Sequence, residues 1–350
     1  MWIVLLLSSA LAKNCDIYPC KAPYVAFEPL QCINYQLNKA SRVANFTLQP
    51  CEHPRYTYCP TVSSNSTCQV PPQPYYYGTS LPGEPCDFDY NCKYGICDQF
   101  ICKAKHENET CNSNEECNPG LYCSGSCTPQ KQKGDQCSAD SDCAYNLGCY
   151  RAKCVDYFSL KPEEVVFSCK NGINLLCETG SCRLSNGEYK CTSAAKLKNG
   201  PYAACESSDD CLVEDKQLNL SWTTNCRCGY SQKGLSFCDL APGDGPFAAY
   251  ISYAAKWLGG TNVTQCNTEA RLSFNCVKSY WNYEDYMSFY FFYKAMMDHP
   301  LVQDNSDCAK LIYNQDYWTA AKEYAKIPNN HSDQTDWAYL ILPVLSLILF

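Results

Sequence analysis

The feature that most constrains this chain is a cysteine period. Cys86-x5-Cys92-x4-Cys97-x4-Cys102 is followed by Cys111-x5-Cys117-x5-Cys123-x3-Cys127 and then by Cys137-x5-Cys143-x5-Cys149-x4-Cys154, with starts 25 and 26 residues apart. Recurrence at near-constant spacing marks an array of small units. Each unit holds too few large apolar residues to bury a core, so covalent bridges must hold it together. In the chain-entropy model, closing a ~10-residue loop contributes roughly 2.7 kcal/mol, so two bridges per unit can offset the missing core. Between bridges the sequence predicts short hairpins and turns rather than helices. The twelve cysteines of these units are expected to pair inside their own repeat. The residue before each second cysteine is Asn91, Glu116 or Asp142.

Composition places the array in an oxidising compartment. There are 30 cysteines in 350 residues, an even number that can pair completely, and a reducing compartment would leave them without a role. Lys and Arg number 28 against 36 Asp and Glu, giving a formal charge of −8. With no basic cluster, a nucleic-acid partner is excluded from the expectation.

The chain divides by composition. Residues 13–69 form an N-terminal cysteine-rich segment with cysteines at 15, 20, 32, 51, 59 and 68, without a period. Residues 70–85 contain five prolines and two glycines and read as a Pro/Tyr linker. The three four-cysteine repeats occupy 86–154. Divergent cysteine-rich units follow over 155–238, where Cys205-Glu-Ser-Ser-Asp-Asp-Cys211 restarts the x5 spacing. Residues 239–328 then become aromatic. Phe247, Tyr250, Ile251, Ala254, Trp257 and Leu258 share one helical face, with Pro246 at its start and Gly259-Gly260 at its end. A second helix is predicted over Tyr283 to Met297, stopped by His299-Pro300, and a third over Asp307 to Ile327 with a break near Asn314. Cys266, Cys276 and Cys308 can bridge back to Cys238 or to one another. The fold class expected is therefore small disulfide-rich repeats of short hairpins and loops, followed by a small α-helical C-terminal domain.

Both ends read as addresses. Residues 1–12 are an apolar run closing on Ala10-Leu11-Ala12, which predicts a signal peptide cleaved before Lys13. Residues 329–336 are small and polar, and Trp337 to Phe350 is almost wholly apolar. At ~1.5 Å per residue that run spans ~21 Å, short of a ~30 Å hydrocarbon core. The pattern predicts a GPI-attachment signal with Asn330 as the lipidation residue. A short membrane anchor or a buried tail helix are the alternatives, and Pro343 argues against a regular helix. Sequons at Asn45, Asn65, Asn108, Asn219 and Asn262 are candidate glycosylation sites, and a sixth falls at Asn330.

The Gly-x2-Cys-x5-Cys pattern with an acidic or amide residue before the second cysteine, clearest over Gly134 to Cys143, resembles the Dickkopf N-terminal cysteine-rich module. The likeness covers about residues 83–155 and extends to 200–238. The adjacent Cys-Cys pair common in that module is absent, so the likeness concerns spacing and transfers no receptor-binding residue. The layout as a whole is similar to cysteine-rich, GPI-anchored surface proteins of ciliates, through Cys266-Asn267-Thr268 and Tyr317-Trp318 in an aromatic segment behind the repeats.

Catalytic patterns are scarce. The four histidines, His53, His106, His299 and His331, have no metal-ligand spacing, and no nucleophile elbow, phosphate loop or dinucleotide turn occurs. Zinc would need paired cysteine knuckles, and the regular array favours disulfides. Cys226-Arg-Cys228 reads as either a redox dithiol or two ordinary bridges, and the second is favoured. Glu115-Glu116 and Asp209-Asp210 offer either calcium ligands or turn residues bonded to local amides, the second again favoured. Tyr75-Tyr76-Tyr77 and Tyr290-Phe291-Phe292-Tyr293 are contact-surface candidates, with core packing favoured for the second run. The expectation is a non-enzymatic coat, adhesion or recognition protein at the cell surface, on the outer leaflet of the plasma membrane. Its only predicted membrane partner is the bilayer reached through a GPI lipid; a protein or glycan ligand is unspecified, and no metal or cofactor is expected. The alternative is a secreted-type enzyme, or a small-ligand or protease-inhibiting module, whose site is not visible in sequence.

Overall fold

A computed structural model describes residues 15–17, 31–50, 67–68, 78–170, 172–229, 233–298 and 315–327. The chain falls into two compact units, each discontinuous in sequence. One comprises Met1–Pro71, Ala195–Asp244 and Lys294–Lys322; the other comprises Pro72–Ala194, Gly245–Tyr293 and Glu323–Phe350.

The first elements are an antiparallel pair, β1 (Gln31–Asn38) and β2 (Val43–Pro50). The Asn38 side chain closes their turn by accepting from the amides of Ala40 and Ser41. The repeats follow, and each is one hairpin behind one tight turn. The hairpins are β3 (Ile96–Asp98) with β4 (Ile101–Lys103), β5 (Leu121–Cys123) with β6 (Cys127–Pro129), and β7 (Leu147–Tyr150) with β8 (Lys153–Asp156). Each places its third and fourth cysteines directly opposite one another: Cys97 with Cys102, Cys123 with Cys127, Cys149 with Cys154. The first two cysteines then reach those opposed positions. Cys86–Cys97 and Cys92–Cys102, Cys111–Cys123 and Cys117–Cys127, Cys137–Cys149 and Cys143–Cys154 are all bridged, first to third and second to fourth. All six bridges close inside their own repeat, as the spacing predicts.

The same wiring continues where the spacing drifts. A sheet of β9 (Val165–Val166), β10 (Cys182–Ser185) and β11 (Glu188–Cys191), in the order β10-β11-β9, carries Cys169–Cys182 and Cys177–Cys191. In the other unit, β12 (Ala204–Cys205), β15 (Cys226–Cys228) and β16 (Ser236–Cys238) form a sheet with β16 central, carrying Cys205–Cys226 and Cys211–Cys238. The hairpin β13 (Leu212–Asp215) and β14 (Leu220–Thr223) is inserted between the second and third cysteines of that fifth unit. Residues 86–238 are thus short strands and loops, without an α-helix among those described.

Turn chemistry explains the spacing around the cysteines. Ahead of the first three units lie Leu81-Pro-Gly-Glu84, His106-Glu-Asn-Glu109 and Gln132-Lys-Gly-Asp135. In each, the carboxylate of the fourth residue accepts from the amide of the first, and the third residue has positive φ. Gly83 (φ +90) is required twice over, since a Cβ there would sit 2.1 Å from the Gln265 carbonyl oxygen.

Helices enter at α1 (Gly245–Leu258), then α2 (Phe274–Tyr280), α3 (Tyr283–Asp298) and α4 (Gln315–Tyr324). The α1 face read from the 3.6-residue period is the buried one, from Phe247 to Leu258. It meets α3 through rings: Tyr250 lies 5.4 Å from Phe289, and Tyr253 stacks 5.8 Å from Phe292. Phe274 of α2 joins them edge-on at 4.8 Å to Tyr290. Cys266 pairs with Cys276, one of the pairings left open by the sequence. His299, Pro300 and residues 307–314, including Cys308, lie outside the described residues.

Between α1 and α2 a polar strip runs along the repeats. Asn267 donates Nδ2 to the carbonyls of Asn114 and Cys117, and its amide donates to Pro82 O. Thr268 Oγ1 donates to Ser141 O. Arg271 donates Nη1 to Leu147 O and the Tyr157 hydroxyl, and Nη2 to the carbonyls of Asp140 and Cys143. Ser273 donates Oγ to the Glu84 carboxylate. One short segment therefore bonds to the second and third regular repeats and to the turn ahead of the first, satisfying carbonyls that burial would otherwise leave unpaired.

Candidate interaction surface

Each regular repeat is set by two side chains of its first loop. The residue before the second cysteine folds back onto the amides that follow the first: Asn91 Oδ1 accepts from Asp87 and Phe88, and Asp142 Oδ2 from Ser138 at 2.8 Å. Three residues after the first cysteine, Asp89, Asn114 and Asp140 each accept from the amide of the third cysteine, at 2.8, 2.8 and 2.7 Å. These bonds satisfy the amides that lead into a 3₁₀ turn and the strand amide of the third cysteine, and so hold the loop against the hairpin.

One member of each acidic pair serves the same function. Glu116 accepts from the Asn112 amide and from Lys105, and the Lys105 ammonium holds its carboxyl below the usual carboxylate range. Asp210 accepts from the amides of Glu206 and Ser207, which hold its carboxyl low. The backbone role favoured for the pairs is observed for Glu116 and Asp210, whereas Glu115 pairs with Lys93. Among the described residues, the only convergent sets of three or more potential metal ligands are cysteines, and their sulfurs are in disulfides. Cys226 pairs with Cys205 and Cys228 with Cys15, so Cys226-Arg-Cys228 is two separate bridges.

Of the candidate glycosylation residues, Asn45, Asn108, Asn219 and Asn262 are exposed, and Asn262 donates Nδ2 to Tyr280 O. Asn65, the lipidation candidate Asn330 and Tyr75-Tyr76-Tyr77 lie outside the described residues, as do His53, His299 and His331. His106 is exposed, 3.4 Å from Asn118 Nδ2. Phe291 and Phe292 are buried, so the run Tyr290–Tyr293 packs in the core around α3, and Phe291 stacks on Tyr324 at 4.4 Å.

What sequence reading passes over is an aromatic face on the first repeat. Phe88 and Tyr90 are 54% and 45% exposed and stack on each other, with ring centres 5.2 Å apart. Phe100, at the β3–β4 tip, is 73% exposed with φ +63, behind Gln99 at φ +51. Two successive positive-φ residues define a tip that favours Asn-Gly, so a phenylalanine there costs about 1–3 kcal/mol. Its carbonyl accepts from Cys86 N at 3.0 Å, which places the tip two residues from Phe88.

Equivalent positions in the sister repeats are small or polar. Phe88 corresponds to Ser113 and Ala139, Tyr90 to Glu115 and Ser141, and Phe100 to Gly125 and Ala152. Gly125 and Ala152 occupy the same positive-φ tip and make the same bond, to Cys111 and Cys137. The repeat therefore folds without these rings, and exposure removes a packing reason for them. A position-by-position comparison of the repeats would have revealed them from sequence.

Fold and surface together define a disulfide-rich repeat protein with an array of crossed bridges and an exposed aromatic tip. No family model, no curated protein and no solved structure matches this chain.

Proposed function

We propose that this chain is a GPI-anchored extracellular glycoprotein that serves as a surface coat, adhesion or recognition protein, without enzymatic activity. The observation that carries the reading is the five-unit array of crossed bridges, in which every described cysteine is disulfide-bonded. Such wiring is characteristic of oxidising compartments such as the secretory route and the extracellular space. The apolar residues 1–12, the polar-then-apolar residues 329–350 and the exposed sequon asparagines support the same address. The likeness in layout to ciliate surface proteins and in spacing to Dickkopf modules belongs to this proposal. No helix among the described residues is long and apolar enough to cross a membrane.

The test is surface biotinylation of living cells before and after phosphatidylinositol-specific phospholipase C. The protein should be labelled at the surface, released by the enzyme, and shifted on gels by deglycosylation. Retention in the cytosol would overturn the reading, and an intact C-terminal Phe350 on surface material would overturn the lipid anchor.

A further inference from the structure

We propose that the aromatic–acidic face of the first repeat docks a cationic segment of a partner protein; this rests on the recognition reading above. The internal comparison isolates the face: Phe88, Tyr90 and Phe100 stand where sister repeats of identical wiring hold Ser, Ala, Glu or Gly. Three exposed rings that folding does not need, one of them in a backbone conformation unfavourable to it, indicate a binding role.

Charge selects the occupant. The exposed carboxylates Asp87 and Asp89 alternate with the stacked rings along Cys86-Asp-Phe-Asp-Tyr-Asn-Cys92. Both lysines of this repeat are already paired, Lys93 with Glu115 and Lys103 with Asp98. Asp87 and Asp89 form no ion pair among the described residues, so within those residues no cation offsets their negative charge beside the exposed rings. Arginine or lysine satisfies both at once, a ring face through cation–π attraction and a carboxylate through its protons. A second copy of this chain would bring the same carboxylates together, and an anionic bilayer would be repelled by them.

The experiment titrates the full-length, disulfide-bonded chain with a fluorescent peptide alternating Arg and Gly, and with a matched Glu/Gly peptide. The wild type should bind the Arg/Gly peptide alone, and more weakly as salt rises. Phe88→Ser with Tyr90→Ser and Phe100→Gly preserves net charge, so non-specific attraction is retained, yet affinity should fall at least about tenfold. Asp87→Asn should weaken binding and flatten its salt dependence. Because Gly125 shows that the tip accepts glycine, Phe100→Gly should not lower the melting temperature, which separates lost binding from lost folding. Unchanged affinity in the triple variant, unchanged salt dependence in Asp87→Asn, equal binding of the Glu/Gly peptide, no binding by the wild type, or self-association abolished by the triple variant would each overturn the proposal. These measurements are made in solution and do not depend on anchoring, so failure here is distinguishable from failure of the surface assignment.

Discussion

Asn267 donates its side-chain amide to the main-chain oxygen of Cys117 at 2.8 Å, across 150 positions of sequence. The same group reaches Asn114 O at 3.0 Å, and the residue is fully buried. Replacing Asn267 with Ala leaves two carbonyls without these donors and should cost about 2–4 kcal/mol. Asn267→Asp should cost at least as much, because a carboxylate cannot donate and would face carbonyl oxygens. Thermal unfolding under non-reducing conditions measures both, and a loss below about 0.5 kcal/mol would show that the strip is not a structural tie.

Arg271 presents a buried guanidinium to carbonyl oxygens of the third repeat, with no carboxylate paired to it among the described residues. Burial raises the Tyr157 hydroxyl pKa well above the ordinary tyrosine value, so this further partner is neutral too. Lysine keeps the charge but loses the planar fork that reaches several oxygens at once. Arg271→Lys should therefore lose about 2–3 kcal/mol, close to the loss in Arg271→Met, in denaturant titrations. Full stability in the lysine variant would show that charge alone matters.

The loop acceptors can be tested against their own sister positions. Asp142→Ala removes the acceptor for the Ser138 amide and should cost about 1 kcal/mol. Asp142→Asn should be nearly neutral, since Asn91 makes the equivalent bonds in the first repeat. Equal losses in the two variants would mean that the carboxylate acts through its charge rather than as an acceptor.

Two carboxylates of the other unit give opposite responses to acid. Amides of Glu206 and Ser207 depress the Asp210 pKa, so its contribution is present above the unfolded value and is lost as pH falls through the folded one. Asp244 is buried, and burial raises its pKa against the amides of Ala241 and Leu197 and the charge of Lys196. Its protonated form is favoured in the fold, so acidification relieves a penalty that stands at neutral pH. Asp244→Asn should equal or exceed wild-type stability at pH 7 and lose that acid-side gain; Asp210→Asn should lose the acid-side fall. Melting temperatures across a pH series decide it, and parallel curves for wild type and both variants would refute the assignment.

Much of the architecture was legible because the signals were periodic. Cysteine spacing marked the repeats, and the apolar face from Phe247 to Leu258 marked α1. The helix α2 escaped because seven residues carry too little period; Ser273 caps it and the Cys266–Cys276 bridge pins it. The burial of Asn267, Thr268 and Arg271 was not legible, since only distant backbone makes it tolerable. Phe88 and Phe100 fall in no period, and comparison with Ser113, Ala139, Gly125 and Ala152 at the equivalent positions separates them from packing residues.

The crossed wiring of each repeat has a mechanical consequence. If the chain is pulled between Cys86 and Cys102, the shortest covalent route crosses the Cys86–Cys97 bond and then only residues 97–102. The alternative route runs along residues 86–92 and across Cys92–Cys102. Either path bypasses most of the loop, so almost no hidden length can be drawn out even if every hydrogen bond gives way. A tether built of such units transmits load without paying out slack.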